Sequence, residues 1–195
     1  MLAIVAPSFN RVSATFIAYH VRALAPGRTV LVCKDSRGAE TYGCPVLSHV
    51  DPDLPYFGPA DRLAKRILTA VRHRFSRGLS FDDRMRVMDF FRAQGVERVL
   101  GEFGYSGAIM TDVCRRMDLP LYVFFRGHDA SSVMRSPWMQ RRYRHMFQTV
   151  AGVFCVSQYL AERIIRVGCP EHLIHIAPSG VVLEDFSPGA PERVA

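Results

Sequence analysis

The chain has 195 residues, 49% hydrophobic, 22% charged and 11% aromatic, a profile that fits one globular domain with a buried core and speaks against disorder except at the C-terminal end. Its formal charge is +7 and its pI about 9.5, carried almost wholly by arginine, because Lys34 and Lys65 are the only lysines. Guanidinium groups suit phosphates and carboxylates, so the charge admits nucleic acid, an anionic membrane surface or a phosphorylated small molecule and by itself selects none.

Leu2 to Ala6 is a short apolar run ended by Pro7, the pattern of a buried parallel strand. Nothing basic precedes it, as a secretory leader requires, and no apolar run reaches the roughly 18 residues that suggest a membrane span; a cytoplasmic location is expected. Ser13 is placed to cap a helix to about Leu24, with Phe16, Ile17, His20, Val21 and Leu24 at helical spacing and Gly27 as its stop. Thr29 to Cys33 is a second strand, so the chain opens strand–helix–strand, a right-handed parallel crossover. Residues 36–60 read as loops with a short strand at Pro45 to Leu47. Asp61 to about Ser76 is predicted to be an amphipathic helix, with Leu63, Ile67, Leu68, Val71 and Phe75 set against Arg62, Lys65, Arg66, Arg72, Arg74 and Arg77. A further helix is predicted from Phe81 to Gln94, stopped by Gly95.

Alternation then resumes. Strands are expected at Arg98 to Leu100, Leu121 to Phe125, Val153 to Val156 and Leu173 to Ile176, and helices at Ser106 to Met117, Pro137 to Gln148 and Gln158 to Val167. Repeated β-α-β units with short connections predict a Rossmann-like, doubly wound parallel sheet with helices on both faces, of class α/β. Residues 1–186 make this domain; residues 187–195, polar with Pro and Gly, read as the start of a linker. The five cysteines are scattered, without zinc-site spacing, and are expected to be buried free thiols of a reducing compartment.

In such sheets ligands bind beyond the carboxyl ends of the strands. The loop after the first strand offers Asn10, Arg11, Ser13 and Thr15; it lacks the G-x-G-x-x-G of a dinucleotide site. Gly101-Glu102-Phe103-Gly104-Tyr105-Ser106-Gly107 is a G-x-x-G-x-x-G pattern leading into a helix. It admits two readings: an anion cradle at a helix N-terminus, or structural glycines beside a ligand-facing wall of Glu102, Gly104 and Tyr105. Arg126-Gly127-His128-Asp129 is the densest polar cluster of the chain, with groups able to titrate or to orient a hydroxyl. Arg126 and Asp129 are the candidates for catalysis, with Gly127 and His128 as further contacts. Ser157 both caps the next helix and faces the same end of the sheet. The commonest hydrolase, P-loop and zinc-protease motifs are missing. So are the helix-turn-helix and basic–aromatic patterns of nucleic-acid modules, and no nucleic acid is expected as partner.

Several of these loops together resemble the N-terminal domain of family 4 glycosyltransferases of the GT-B fold. Ser13-Ala14-Thr15-Phe16-Ile17 is similar to S-E-T-F-[IV], Phe103 to Ala108 to H-F-G-x-x-G, and Phe125 to Asp129 to F-[HR]-G-Y-D. Val156 to Leu160 resembles V-S-E-x-[LM], and Gly168-Cys169-Pro170 through Ser179-Gly180-Val181 to Phe186-Ser187-Pro188 resembles the family's closing motif. The sequence departs from the pattern at Arg126 and Glu102, where members frequently carry His, and at Val182, where they carry Asp.

The resemblance implies one half of a GT-B fold: the acceptor-binding domain of a retaining glycosyltransferase that needs no metal and takes its sugar from a nucleotide sugar. The donor-binding C-terminal domain, with its paired glutamates, is then the missing partner, and the chain alone is expected to be incomplete and inactive. The acceptor is expected to be a cell-surface polysaccharide or a glycolipid (a glycan or a lipid-linked sugar). The basic fringe of Arg62, Lys65, Arg66, Arg72 and Arg74 then suits peripheral attachment to an anionic inner membrane, at about 1 kcal/mol per basic residue near the surface. The alternative is a stand-alone Rossmann-like module that binds a nucleotide through Gly101 to Gly107.

Overall fold

The computed structural model describes residues 1–9, 15–50 and 78–180, with Thr15 in its backbone only. The loop residues Asn10, Arg11 and Ser13, the helix expected over 61–76 with its basic fringe, and the linker expected over 187–195 lie outside the described residues.

Seven strands form one sheet: β1 (Leu2–Val5), β2 (Thr29–Val32), β3 (Val46–Leu47), β4 (Arg98–Gly101), β5 (Leu121–Phe125), β6 (Gly152–Cys155) and β7 (Ile174–Ile176). Their spatial order is β3-β2-β1-β4-β5-β6-β7, and every pairing is parallel. Five α-helices are described: α1 (Thr15–Ala23), α2 (Phe81–Ala93), α3 (Gly104–Met117), α4 (Pro137–Phe147) and α5 (Gln158–Val167). This is the doubly wound α/β architecture that the alternating pattern predicts.

Side chains along a strand alternate between faces, so each central strand feeds two cores. Leu2, Ile4, Leu31 and Leu100 pack with Ile17 and Val21 of α1. Ala3, Val5, Val30, Val32, Val99 and Val123 pack on the opposite face with Val87 and Phe91 of α2, Met110 and Val113 of α3, Tyr143 and Met146 of α4, and Ile164 of α5. The large side chains here that water does not reach, Phe91, Tyr143 and Ile164 among them, each contribute about 1.5–3 kcal/mol by burial.

Local signals set most helix ends. Ser80 caps α2, its Oγ accepting from the Asp83 amide, and Ser157 caps α5, accepting from Leu160. Pro137 opens α4, and Gly168, at φ 110°, closes α5. Asp118, a non-glycine at φ 52°, closes α3. No described helix is long and apolar enough to cross a membrane.

Connections run away from β1 toward β2 and β3 on one side, and through β4 to β7 on the other. The crevice between the carboxyl ends of β1 and β4 is therefore the topological switch point, where open α/β sheets bind ligands.

Candidate functional site

Four elements meet beside that crevice. Helix α1 turns Phe16 and His20, four residues apart, toward the sheet. β4 ends in Gly101 and delivers Glu102. β5 places Phe124 on the same face and Arg126 just past its end. The chain after β7 returns Ser179 to the cluster.

Arg126 is the centre. Its guanidinium carbon lies 3.3 Å from the centroid of the Phe16 ring and 4.2 Å from that of Phe124, so two aromatic rings flank the cation. Nη1 donates to Ser179 Oγ at 2.7 Å, and Nη2 to Glu102 Oε2 at 3.4 Å. Nε is buried and has no hydrogen-bond partner among the described residues. Burial pulls the Arg126 pKa down, and the Glu102 carboxylate opposes the shift; a guanidinium so far above neutrality stays charged.

Glu102 is fully enclosed and divides its oxygens, Oε2 to Arg126 and Oε1 to His20 Nδ1 at 2.6 Å. Removing water from a carboxylate costs several kcal/mol, returned only by close partners. The three side chains are therefore one unit rather than three independent contacts.

Asp129 sits otherwise than a reacting acid would. It has no exposed surface, and its carboxylate accepts from the amides of Gly104 (2.8 Å), Arg126 (2.9 Å) and Ala130 (3.1 Å). Burial pushes its pKa up while these amides push it down. The side chain thus ties the loop after β5 to the first turn of α3 and turns no oxygen to the crevice. This also corrects the start of α3: the helix begins at Gly104, two residues before the expected Ser106, because a carboxylate 25 residues away takes the amide that a local cap would otherwise satisfy. Arg163 of α5 holds the same loop by donating to the Ala130 carbonyl at 2.9 Å.

The remaining predicted residues are dispersed. Gly127 and His128 are exposed. Tyr105 is half-buried and stacks on Phe103, with ring centroids 5.1 Å apart. Ser157 caps α5. Of the two readings of the glycine pattern, packing explains it. A Cβ on Gly101 would lie 2.6 Å from the Gly107 nitrogen, one on Gly107 would strike the Val123 side chain, and one on Gly104 would strike the Phe125 ring. None of the three has positive φ, and each lies where a side chain would collide with protein atoms. The sequence reading missed Phe16, His20, Phe124 and Ser179 as members of the site. The Phe16–His20 spacing was visible but read as an ordinary buried helix face.

Comparison with known proteins follows the same lines. The sequence pattern of glycosyltransferase family 4 matches residues 17–185. The chain matches none of the curated protein sequences. Among solved structures it is similar to HepE of Anabaena in complex with UDP and glucose (13% identity, TM-score 0.65, covering 94% of this chain and 45% of that one). It is also similar to the lipopolysaccharide outer core galactosyltransferase WaaB (9%, 0.55, 100% and 50%) and to UDP-N-acetylglucosamine 2-epimerase of Rickettsia bellii (13%, 0.52, 92% and 45%). At these identities the likeness is one of fold, that of a GT-B domain, and the chain spans about half the length of each solved structure. With the family pattern running from within α1 past β7, over six of the seven strands and most of the chain, the chain belongs to glycosyltransferase family 4.

Proposed function

We propose that this chain forms the acceptor-side wall of a sugar-transfer cleft, the other wall being a donor-binding domain that holds a nucleotide sugar. The observation that carries the reading is the family match from α1 through β7 together with a buried guanidinium donor that has no partner among the described residues, beside the switch point. A fixed donor in a site poor in water is suited to charge that develops during group transfer. Arg126 is assigned that contact, Glu102 and His20 hold it, and Asp129 positions its loop. Transfer is read as retaining and independent of a metal ion, with a cell-surface polysaccharide or glycolipid as acceptor. The basic segment around Arg62 to Arg74 is assigned to an anionic membrane surface.

The test is a transfer assay on a polypeptide that joins this chain to a donor-binding half, with UDP-sugars as donors. Transfer that falls about 100-fold in Arg126→Ala supports the reading. Unchanged turnover removes Arg126 from the site, and tight dinucleotide binding by the 195-residue chain would replace the reading with that of a nucleotide-binding module.

A further inference from the structure

Glu102 reaches Arg126 from one edge of the guanidinium. Nε and Nη2 share that edge and form the fork that carboxylates ordinarily take with both oxygens. Here only half of the fork is used: Nη2 meets Oε2 at 3.4 Å, while Nε, itself buried, is left without a partner among the described residues. Leaving a buried donor unpaired is unfavourable, so something must keep the second oxygen away. His20 does so, holding Oε1 at 2.6 Å from Nδ1. Its ring is itself fixed, 5.5 Å from Phe124 and 6.5 Å from Phe16 by centroids.

We infer that His20 is a positioning residue: by occupying Glu102 Oε1 it prevents a two-oxygen ion pair with Arg126 and keeps the Nε–H, enclosed in this structure, unpaired for a substrate oxygen that meets it once the side chains around it part. The inference rests on the reading of Arg126 as a substrate contact. It explains why a buried carboxylate is shared rather than given whole to the nearest cation. It also names the element that sets the site's donor: α1, whose His20 lies 82 positions from Glu102 and 106 from Arg126 in sequence.

The test reads the guanidinium itself. In nitrogen-resolved proton spectra of the 195-residue chain, the Arg126 Nε–H is assigned by its loss in Arg126→Lys. In His20→Leu, which keeps volume but releases Glu102, this resonance is expected to move downfield and its hydrogen exchange to slow about tenfold as the second oxygen closes on it. His20→Ala serves as a second release variant should the leucine not fold. His20→Asn, whose amide nitrogen stands near the position of Nδ1, is expected to keep the wild-type signal.

In the two-half polypeptide, kcat/KM for the sugar donor is expected to fall about tenfold in His20→Leu and to recover in His20→Asn. An unchanged Nε–H in both release variants, or no recovery with asparagine, overturns the inference whatever the transfer assay gives. Normal transfer by Arg126→Lys, with the spectral change in His20→Leu intact, overturns instead the functional reading on which the substrate contact rests.

Discussion

A cation and an anion share the interior beside β4, and neither tolerates the loss of the other. Arg126→Ala leaves Glu102 enclosed with His20 alone, so stability is expected to fall by about 3 kcal/mol, and Glu102→Gln in the same chain is expected to restore part of it; urea denaturation of the two singles and the double variant measures the coupling. Asp129→Ala strands three amides and is expected to cost about 3 kcal/mol, whereas His128→Ala, on the exposed side of the same loop, stays within about 0.5 kcal/mol. The thiols give a further check. Burial pushes Cys33 up to about 11 and Cys114, Cys155 and Cys169 up to about 12, so all four stay protonated at neutral pH. Only the half-buried Cys44 is partly open to solvent. Burial raises the Cys44 thiol as well, so a thiol reagent at pH 7 is expected to label Cys44 first and slowly in the native chain, and all five cysteines after denaturation.

Helices and strands followed mostly local rules. Ser80, Pro137, Ser157 and Gly168 mark ends that their own side chains or backbones set, and β2, β5 and α5 lie within a residue of their expected bounds. The start of α3 did not follow them, because its amide partner comes from another loop. The glycines around that start were legible as a pattern but not as a purpose. Spacing shows that a close approach is wanted and is silent on whether a ligand or a neighbouring strand makes it. Gly101→Ala, Gly104→Ala and Gly107→Ala are each expected to destabilise the fold by about 1–3 kcal/mol through overpacking. Gly127→Ala, with nothing within 4 Å of the added carbon, is expected to leave the midpoint of thermal unfolding unchanged. Equal tolerance at all four positions would return the pattern to the ligand-cradle reading.

At the scale of the molecule, catalysis in this reading needs two walls to hold donor and acceptor in register, a contribution of about 7–11 kcal/mol in favourable cases. The 195-residue chain is therefore expected to fold and show no measurable transfer, and the joined polypeptide to transfer sugar equally well with and without EDTA. Loss of activity on chelation, restored by a divalent ion, would place a metal in the reaction and revise the proposed mechanism.

The order of elements, the two-faced sheet and the Arg126 loop were all written in the sequence, because period-two and helical spacing, caps and stops act over a few residues. Which residues of those loops meet was not. Sequence placed Arg126 and Asp129 side by side as equals. The fold separates them: it closes Asp129 onto three amides and leaves one donor of Arg126 without a partner among the described residues. It also draws in Phe16, His20 and Ser179 from elements far apart in the chain. Parallel crossovers bring distant segments to one sheet end, and burial then decides which charge is satisfied by backbone and which by another side chain. Neither choice has a local signature, so only the tertiary structure makes it.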